Sequence, residues 1–149
     1  MPIRLTETRT FERLDAEECW TLVRSHGLGR IGYMGETHVQ IVPTWYDAQR
    51  GTAYFRAGTF GELARRVHGH AVSLQVDDLD PRTFSGWSVV MTGTAHRVHD
   101  AATVAARWSM GRPSPWVPTP DSQWIVLQVE DIQGERVGRP AVSGSGDGR

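Results

Sequence analysis

Six segments of the chain combine β-branched or aromatic residues with alternating polar positions, and turn-forming residues separate them. The first three are LGRIGYM, THVQIVPTWY and GTAYFRA, with MGE and DAQRG between them. The other three are HAVSLQVDDLD, GWSVVMTGTAHRVHD and QWIVLQVEDIQGERVG. Such runs predict short strands, and a barrel is the arrangement that leaves no exposed strand edge. We therefore expect a mainly β fold, a six-stranded antiparallel barrel with short helices.

Three short helices are predicted between these strands. Residues 15–26 carry apolar side chains at spacings of three and four behind an aspartate suited to cap the first turn. Residues 60–67 place apolar side chains on one helical face and arginines on another, and residues 101–110 have a similar helical character. Loops join the remaining elements, among them the proline-rich segment RPSPWVPTPD.

The length of 149 residues fits one domain with its own core. We expect an N-terminal extension over residues 1–13, the barrel domain over 14–138, and a flexible C-terminal tail over 139–149. The tail contains SGSGDG, which lacks the preceding strand and following helix of a nucleotide-binding loop.

Charge and cysteine content exclude several classes of protein. A formal net charge of −1 offers no basic surface for nucleic acid. Cys19 is the only cysteine, so neither an intramolecular disulfide nor a cysteine zinc site is expected, and Cys19 is predicted to be a small buried side chain. No apolar run reaches the roughly 18–20 residues of a membrane helix, and the start lacks a signal-peptide pattern. We expect a cytoplasmic protein with no membrane or nucleic-acid partner.

Six histidines raise the question of a metal site. They are His26, His38, His68, His70, His96 and His99. Two of the spacings are short, but no cysteines or carboxylates accompany them in a known ligand pattern. We predict no bound metal, and a histidine beside a cofactor would be a proton donor instead.

Four local sequences, taken together, are similar to those of one family. They are the helix end before GRIGYM, the strand end VPTWYD, the junction AYFRAGTFGEL, and DDLDPRTFSGWSVVMTGTA closed by QWIVLQVEDIQGERV. In this combination the chain resembles the pyridoxamine 5'-phosphate oxidase-like FMN-binding split barrels, from about residue 14 to residue 137. The resemblance implies a homodimer with FMN in the cleft between two barrels.

The resemblance also implies which residues contact FMN. Contacts to the ring edge fall on Val42, Pro43, Thr44 and Trp45. Contacts to the phosphate fall on Phe55, Arg56, Ala57, Gly61, Glu62 and Leu63, and contacts facing the partner barrel fall on Trp87 and Ser88, with Trp124 nearby. A guanidinium fork at Arg56, a hydroxyl at Thr59 and the first amides of the 60–67 helix suit a phosphate on physical grounds. Trp45, Trp108 and Trp116 are alternatively interface, lid or core aromatics.

Glu62 departs from the family pattern, because relatives commonly have a lysine in this segment. A carboxylate about 4 Å from a phosphate would cost about 4 kcal/mol at an effective dielectric constant near 20. Pairing with Arg65 or Arg66 one helical turn on would relieve this repulsion.

Three functions remain open at this point. The first is an FMN-dependent oxidoreductase that acts on a small organic substrate, with no catalytic side chain named, because the flavin carries the redox chemistry. The second, favoured by Glu62, is a non-catalytic protein that binds flavin or deazaflavin (F420). The third, a purely structural dimer, does not explain the SGWSVVMTGTA and VPTWYD segments.

Overall fold

The structure, a computed structural model, describes residues 9–110 and 113–138. The strands are β1 Thr10–Leu14, β2 Leu28–Met34, β3 Val39–Gln49, β4 Thr52–Gly58, β5 His70–Asp80, β6 Ser85–Arg97 and β7 Ser122–Gly138. The helices are α1 Ala16–Arg24, α2 Glu62–Val67 and α3 Ala101–Met110. The predicted C-terminal tail lies outside the described residues.

Six strands close into an antiparallel barrel, which confirms the predicted fold. Strands β7, β4, β3, β2, β5 and β6 are neighbours in that order, and β6 pairs again with β7 to complete the ring. The ring closes because β7 is long: its first half pairs with both β4 and β6. Its second half continues along β6 and is available to another strand on its other side.

That other strand is β1, a seventh strand that the sequence did not predict. It pairs antiparallel with the end of β7, from Thr10 opposite Gly138 to Leu14 opposite Gly134. Most of β1 therefore falls in the segment predicted as an N-terminal extension. Its sequence TFERL has one buried position, Leu14, so alternation of polar and apolar residues does not reveal it.

Helix α1 is fixed at its start by a reciprocal capping box. The Asp15 carboxylate accepts a hydrogen bond from the Glu18 amide at 2.8 Å, and the Glu18 carboxylate accepts one from the Asp15 amide at 3.2 Å. The helix buries Cys19, Trp20 and Val23 against the barrel. Cys19 is thus a buried, unpaired thiol, as predicted, and burial raises its pKa.

Helix α2 follows strand β4 in the chain, and helix α3 contacts β4 and β7. Helix α2 begins four residues after β4 ends and buries Ala64 and Val67. From helix α3, Trp108 makes an edge-on ring contact with Trp124 of β7, with ring centroids 5.8 Å apart. No helix within residues 9–110 and 113–138 is long and apolar enough to cross a membrane.

Candidate functional site

A cavity of about 430 Å³ opens where β3, the end of β4 and the start of α2 meet, and we call it the β4–α2 cavity. Most of the residues predicted to hold a cofactor line it. They are Val42, Pro43 and Thr44 on β3, Arg56 and Ala57 on β4, and Thr59, Gly61, Glu62 and Leu63 at the junction. The two strands and the β4–α2 junction thus bring these residues together, although the first, Val42, and the last, Leu63, are 21 positions apart in the sequence.

Neighbouring strands fix the walls of this cavity. Strand β2 pairs with β3 so that Ile31 lies opposite Val42, and the β2 residue Tyr33 also lines the cavity. On the other side, the Thr59 amide donates to the backbone oxygen of Asp121 at 3.0 Å, which ties the junction to the loop before β7. The cavity therefore has a sheet as its floor and the loop before β7 as one rim.

Arg56 is held in place before any ligand binds. Its Nε and Nη2 donate to the Ser122 hydroxyl at 3.1 and 2.6 Å. Its guanidinium lies 4.2 Å from the ring centre of Trp108 and 5.5 Å from that of Trp124. Among the described residues no hydrogen bond is made by Nη1, so this donor group is available to an anion. Partial burial lowers the Arg56 pKa, yet an arginine stays charged at neutral pH.

Glu62 lines the same cavity, where its charge would oppose a phosphate. Within the described residues no ion pair joins it to Arg65 or Arg66, and Arg66 lies instead 3.9 Å from the carboxylate of Glu36. Burial, and then the charge of Glu62, raise the pKa of the Tyr33 hydroxyl, while Arg66 lowers it. Tyr33 and Glu62 both line the cavity, and within the described residues no cation is bonded to the Glu62 carboxylate.

Five of the predicted contact residues lie away from this cavity. Phe55 is fully buried in the core, as its alternation with Arg56 requires. Trp87 is nearly buried and makes an edge-on contact with His26 at 4.8 Å. Ser88 accepts a hydrogen bond from the Gln75 amide at 3.1 Å. Trp124 is buried behind Arg56, and its indole N–H has no acceptor within the described residues.

The fifth, Trp45, lines a separate cavity of about 690 Å³, which we call the Trp45 cavity. Its other lining residues are Gly27, Leu28, Tyr46, Asp47, Pro113 and Ser114. The Asp47 carboxylate accepts a hydrogen bond from Arg107 Nη1 at 2.6 Å, and the Arg107 guanidinium lies 3.9 Å from the ring centre of Tyr54. This buried arginine on α3 was not predicted, because nothing in the sequence pairs it with Asp47, 60 positions away.

The proline-rich loop forms one wall of the β4–α2 cavity, and the sequence did not predict this. Its contributors to the β4–α2 cavity are Pro115, Trp116, Val117, Thr119 and Asp121. The Trp116 ring lies 6.0 Å from that of Trp45, at the boundary between the two cavities. A tryptophan among prolines in a loop was the available signal, since an aromatic ring exposed on a loop is typical of ligand contact.

Three of the histidines lie together on the far side of α2. The rings of His96 and His99 lie 5.8 and 5.9 Å from that of His68, and the Arg97 amide donates to His68 Nδ1 at 3.0 Å. Partial desolvation and the neighbouring His96, Arg97, His99 and His70 lower the His68 pKa. None of the histidines lines the β4–α2 cavity.

A closed antiparallel barrel with a largely apolar cavity, and with a fixed arginine in the lining of that cavity, is the architecture of a split barrel. The family model for pyridoxamine 5'-phosphate oxidase matches residues 15–136 of the chain. The protein therefore belongs to the pyridoxamine 5'-phosphate oxidase family.

The chain is also similar to individual proteins over most of its length. An uncharacterised protein of Mycobacterium tuberculosis is 29% identical over 134 residues, which are 87% of each chain. The structure of an FAD binding protein from Mycobacterium smegmatis is 28% identical, with a TM-score of 0.66 over 85% of this chain and 98% of that one. An FAD-binding protein from Mesorhizobium loti shares the fold at 16% identity, with a TM-score of 0.68 over 89% of this chain and 100% of that one.

Proposed function

We propose that this protein binds FMN in the β4–α2 cavity and is an FMN-dependent oxidoreductase that acts on a small organic substrate. The observation that carries the proposal is the cavity itself, whose lining combines strand residues and apolar side chains with the arginine Arg56. A flat heteroaromatic ring with an anionic tail matches that distribution of groups. Structural relatives described as FAD binding support a flavin as the ligand.

The protein's part in such a reaction is binding and positioning, while a bound flavin supplies the electron transfer. Arg56 Nη1 and the Thr59 hydroxyl are the donors for the phosphate, because both line the cavity. The Pro43 carbonyl is available to the hydrogen-bonding edge of the ring, because the pairing of β3 with β2 directs the backbone groups of Val42 toward Ile31. Trp116 and Val117 of the loop before β7 add apolar surface to the lining.

The direct test is the visible absorption spectrum of the purified protein, before and after FMN is added and free ligand is removed. We expect retained flavin bands at one FMN per chain. A protein that retains neither FMN nor FAD would contradict the proposal. Bleaching of the bound flavin by a nicotinamide donor under anaerobic conditions, followed by reoxidation with substrate, would establish the oxidoreductase step.

A second candidate function is a non-catalytic protein that binds flavin or deazaflavin. It is favoured by two acidic residues, Glu62 and Asp121, which line the same cavity as Arg56, and within the described residues Glu62 forms no ion pair. Acidic groups weaken the hold on a phosphate and thus favour a ligand whose affinity comes from its ring. A protein that binds such a ligand but leaves it oxidised in the presence of every donor would support this function over the first.

Glu62→Lys is expected to tighten FMN binding by about tenfold, or ~1.4 kcal/mol, because a cation replaces a carboxylate beside the phosphate. Glu62→Gln, which removes the charge alone, should have an effect in the same direction and smaller. Glu130→Lys is the matched control, since Glu130 is an exposed glutamate on β7 that does not line the cavity. Fluorescence titration with FMN measures the affinity of the parent, the two Glu62 variants and the control. Equal affinities for the Glu62 variants and the parent would contradict the placement of the phosphate next to Glu62.

We further propose that two copies of the chain form a dimer through the outer face of the β2–β3 hairpin. Met34, Val39 and Ile41 lie on that face, and Ile41 is 71% exposed. Neighbouring apolar side chains exposed on one face of a sheet are typical of an interface.

Ile41→Asp is therefore expected to convert a dimer into a monomer, because the dimer would bury an unpaired charge at the same position in both copies. Light scattering after size-exclusion chromatography measures the mass. Leu79→Asp, at another exposed apolar position on β5, is the control that should remain dimeric. A monomeric parent protein would rule out the interface.

A further inference from the structure

The Trp45 cavity adjoins the β4–α2 cavity and differs from it in chemistry. Neighbouring residues of one strand and one loop line the two different cavities. Thr44 and Pro115 line the β4–α2 cavity, and the adjacent Trp45 and Ser114 line the Trp45 cavity. The Trp45 cavity is the larger, at about 690 Å³. A ligand in it would lie directly beside a ligand in the β4–α2 cavity.

Two tryptophans at this boundary are exposed although they contact each other. Trp45 and Trp116 are 39% and 47% exposed, with ring centroids 6.0 Å apart and planes tilted by 48°. Exposed indole surface beside a cavity is available for stacking on a flat ring, and purines stack well on aromatic side chains.

Asp47 supplies a hydrogen-bond acceptor in the same cavity. Arg107 donates to its Oδ2, and within the described residues no hydrogen bond is made to Oδ1. Arg107 itself is nearly buried and packs on Tyr54, so the carboxylate is held in a fixed orientation. A fixed carboxylate that accepts from sugar hydroxyls is the usual means of binding an adenosine ribose. Because Arg107 balances its charge, the Asp47 carboxylate repels a nucleotide phosphate nearby less than an unpaired carboxylate would.

We propose that the Trp45 cavity is an adenosine subsite, in which the purine stacks on Trp45 and the ribose hydroxyls donate to Asp47. The proposal rests on the proposed flavin function for its biological source. The adenosine belongs either to the adenylate half of FAD, when that dinucleotide occupies both cavities, or to a nicotinamide dinucleotide that approaches a flavin bound next door.

Calorimetric titration of the whole protein with AMP, FMN and FAD, and of the FMN-loaded protein with NAD⁺, tests the proposal. Trp45→Ala and Asp47→Asn are the variants, and asparagine keeps an acceptor for Arg107 so that the fold is preserved. Phe11→Ala is the matched control, because this exposed aromatic residue lies on β1, away from both cavities. We expect AMP to bind the parent protein, and each variant but not the control to weaken AMP binding tenfold or more.

The dinucleotides identify the source of the adenosine. If it is FAD, the parent protein binds FAD at least tenfold more tightly than FMN, and Trp45→Ala abolishes the difference. If it is the donor, FAD and FMN bind alike, and AMP competes with NAD⁺ for the FMN-loaded protein. Absence of AMP binding at millimolar concentration, or AMP binding that both variants leave unchanged, overturns the subsite. Failure of FMN and FAD to bind would instead overturn the flavin function, while AMP titration still reports on the subsite.

Discussion

Arg56→Ala is expected to weaken FMN binding roughly 30- to 150-fold, because it removes a charged hydrogen bond to the phosphate worth about 2–3 kcal/mol. The guanidinium is already fixed by Ser122 and by the rings of Trp108 and Trp124, so little conformational freedom is lost when the phosphate binds. Fluorescence or calorimetric titration with FMN measures the loss. Riboflavin, which has no phosphate, should bind the parent and the variant almost equally.

Two further variants separate the shape of the Arg56 side chain from its charge. Arg56→Lys keeps the charge but loses the planar fork held by Ser122, so its FMN affinity should fall between those of the parent and Arg56→Ala. Arg65→Ala is the matched control, because Arg65 is an exposed arginine on α2 outside the cavity. If Arg56→Ala reduces riboflavin and FMN binding equally, the arginine holds up the cavity wall and is not the phosphate ligand.

Gly93→Ala is expected to destabilise the protein by about 3 kcal/mol, at the upper end for overpacking. Gly93 lies in β6 where the register with β7 shifts, and an added methyl group would overlap the backbone oxygen of Gln128. Backbone of a paired strand cannot move aside without breaking the β6–β7 pairing that closes the barrel. Thermal unfolding should show a fall in Tm of about 10 °C.

Gly32→Ala is the matched control for that substitution. Gly32 is also a strand glycine, but its nearest neighbour for an added methyl group is the Ser73 backbone oxygen at 4.0 Å, an ordinary contact. Its Tm should change by no more than a few degrees. Equal stability of Gly93→Ala and the parent protein would mean that the bulge between β6 and β7 accommodates a side chain.

The sequence predicted the strands of the barrel well because each carries its own local signal. The segments 28–34 and 70–80 coincide with β2 and β5, and residues 101–110 coincide with α3. Strand β1 was missed, because it is an edge strand that buries one side chain and so lacks alternation. Its pairing depends on the far end of β7, more than 100 residues away, which no local pattern reports.

The resemblance named contact residues on β3 and at the β4–α2 junction, and the structure brings most of them to one cavity, so their role toward a cofactor stays a prediction. Phe55 is instead buried in the core, and Trp45 lines the neighbouring cavity. Side-chain alternation separates Phe55 from Arg56, but Val42, Pro43 and Thr44 all line the cavity, so a contiguous motif does not by itself show which positions reach a ligand. The wall formed by Trp116 and Val117 belongs to a loop without periodicity.

Local sequence by itself determined the six strands of the barrel, the three helices and the capping of α1, because hydrophobic alternation and capping act over a few residues. Only the tertiary structure decided that Ser122 and two tryptophans hold Arg56, that Glu62 forms no ion pair with Arg65 or Arg66 among the described residues, and that Arg107 orients Asp47 beside Trp45. Each of these contacts joins side chains on different elements, or depends on which way one side chain turns. They arise when the barrel closes and fixes those elements in space, which no local pattern specifies.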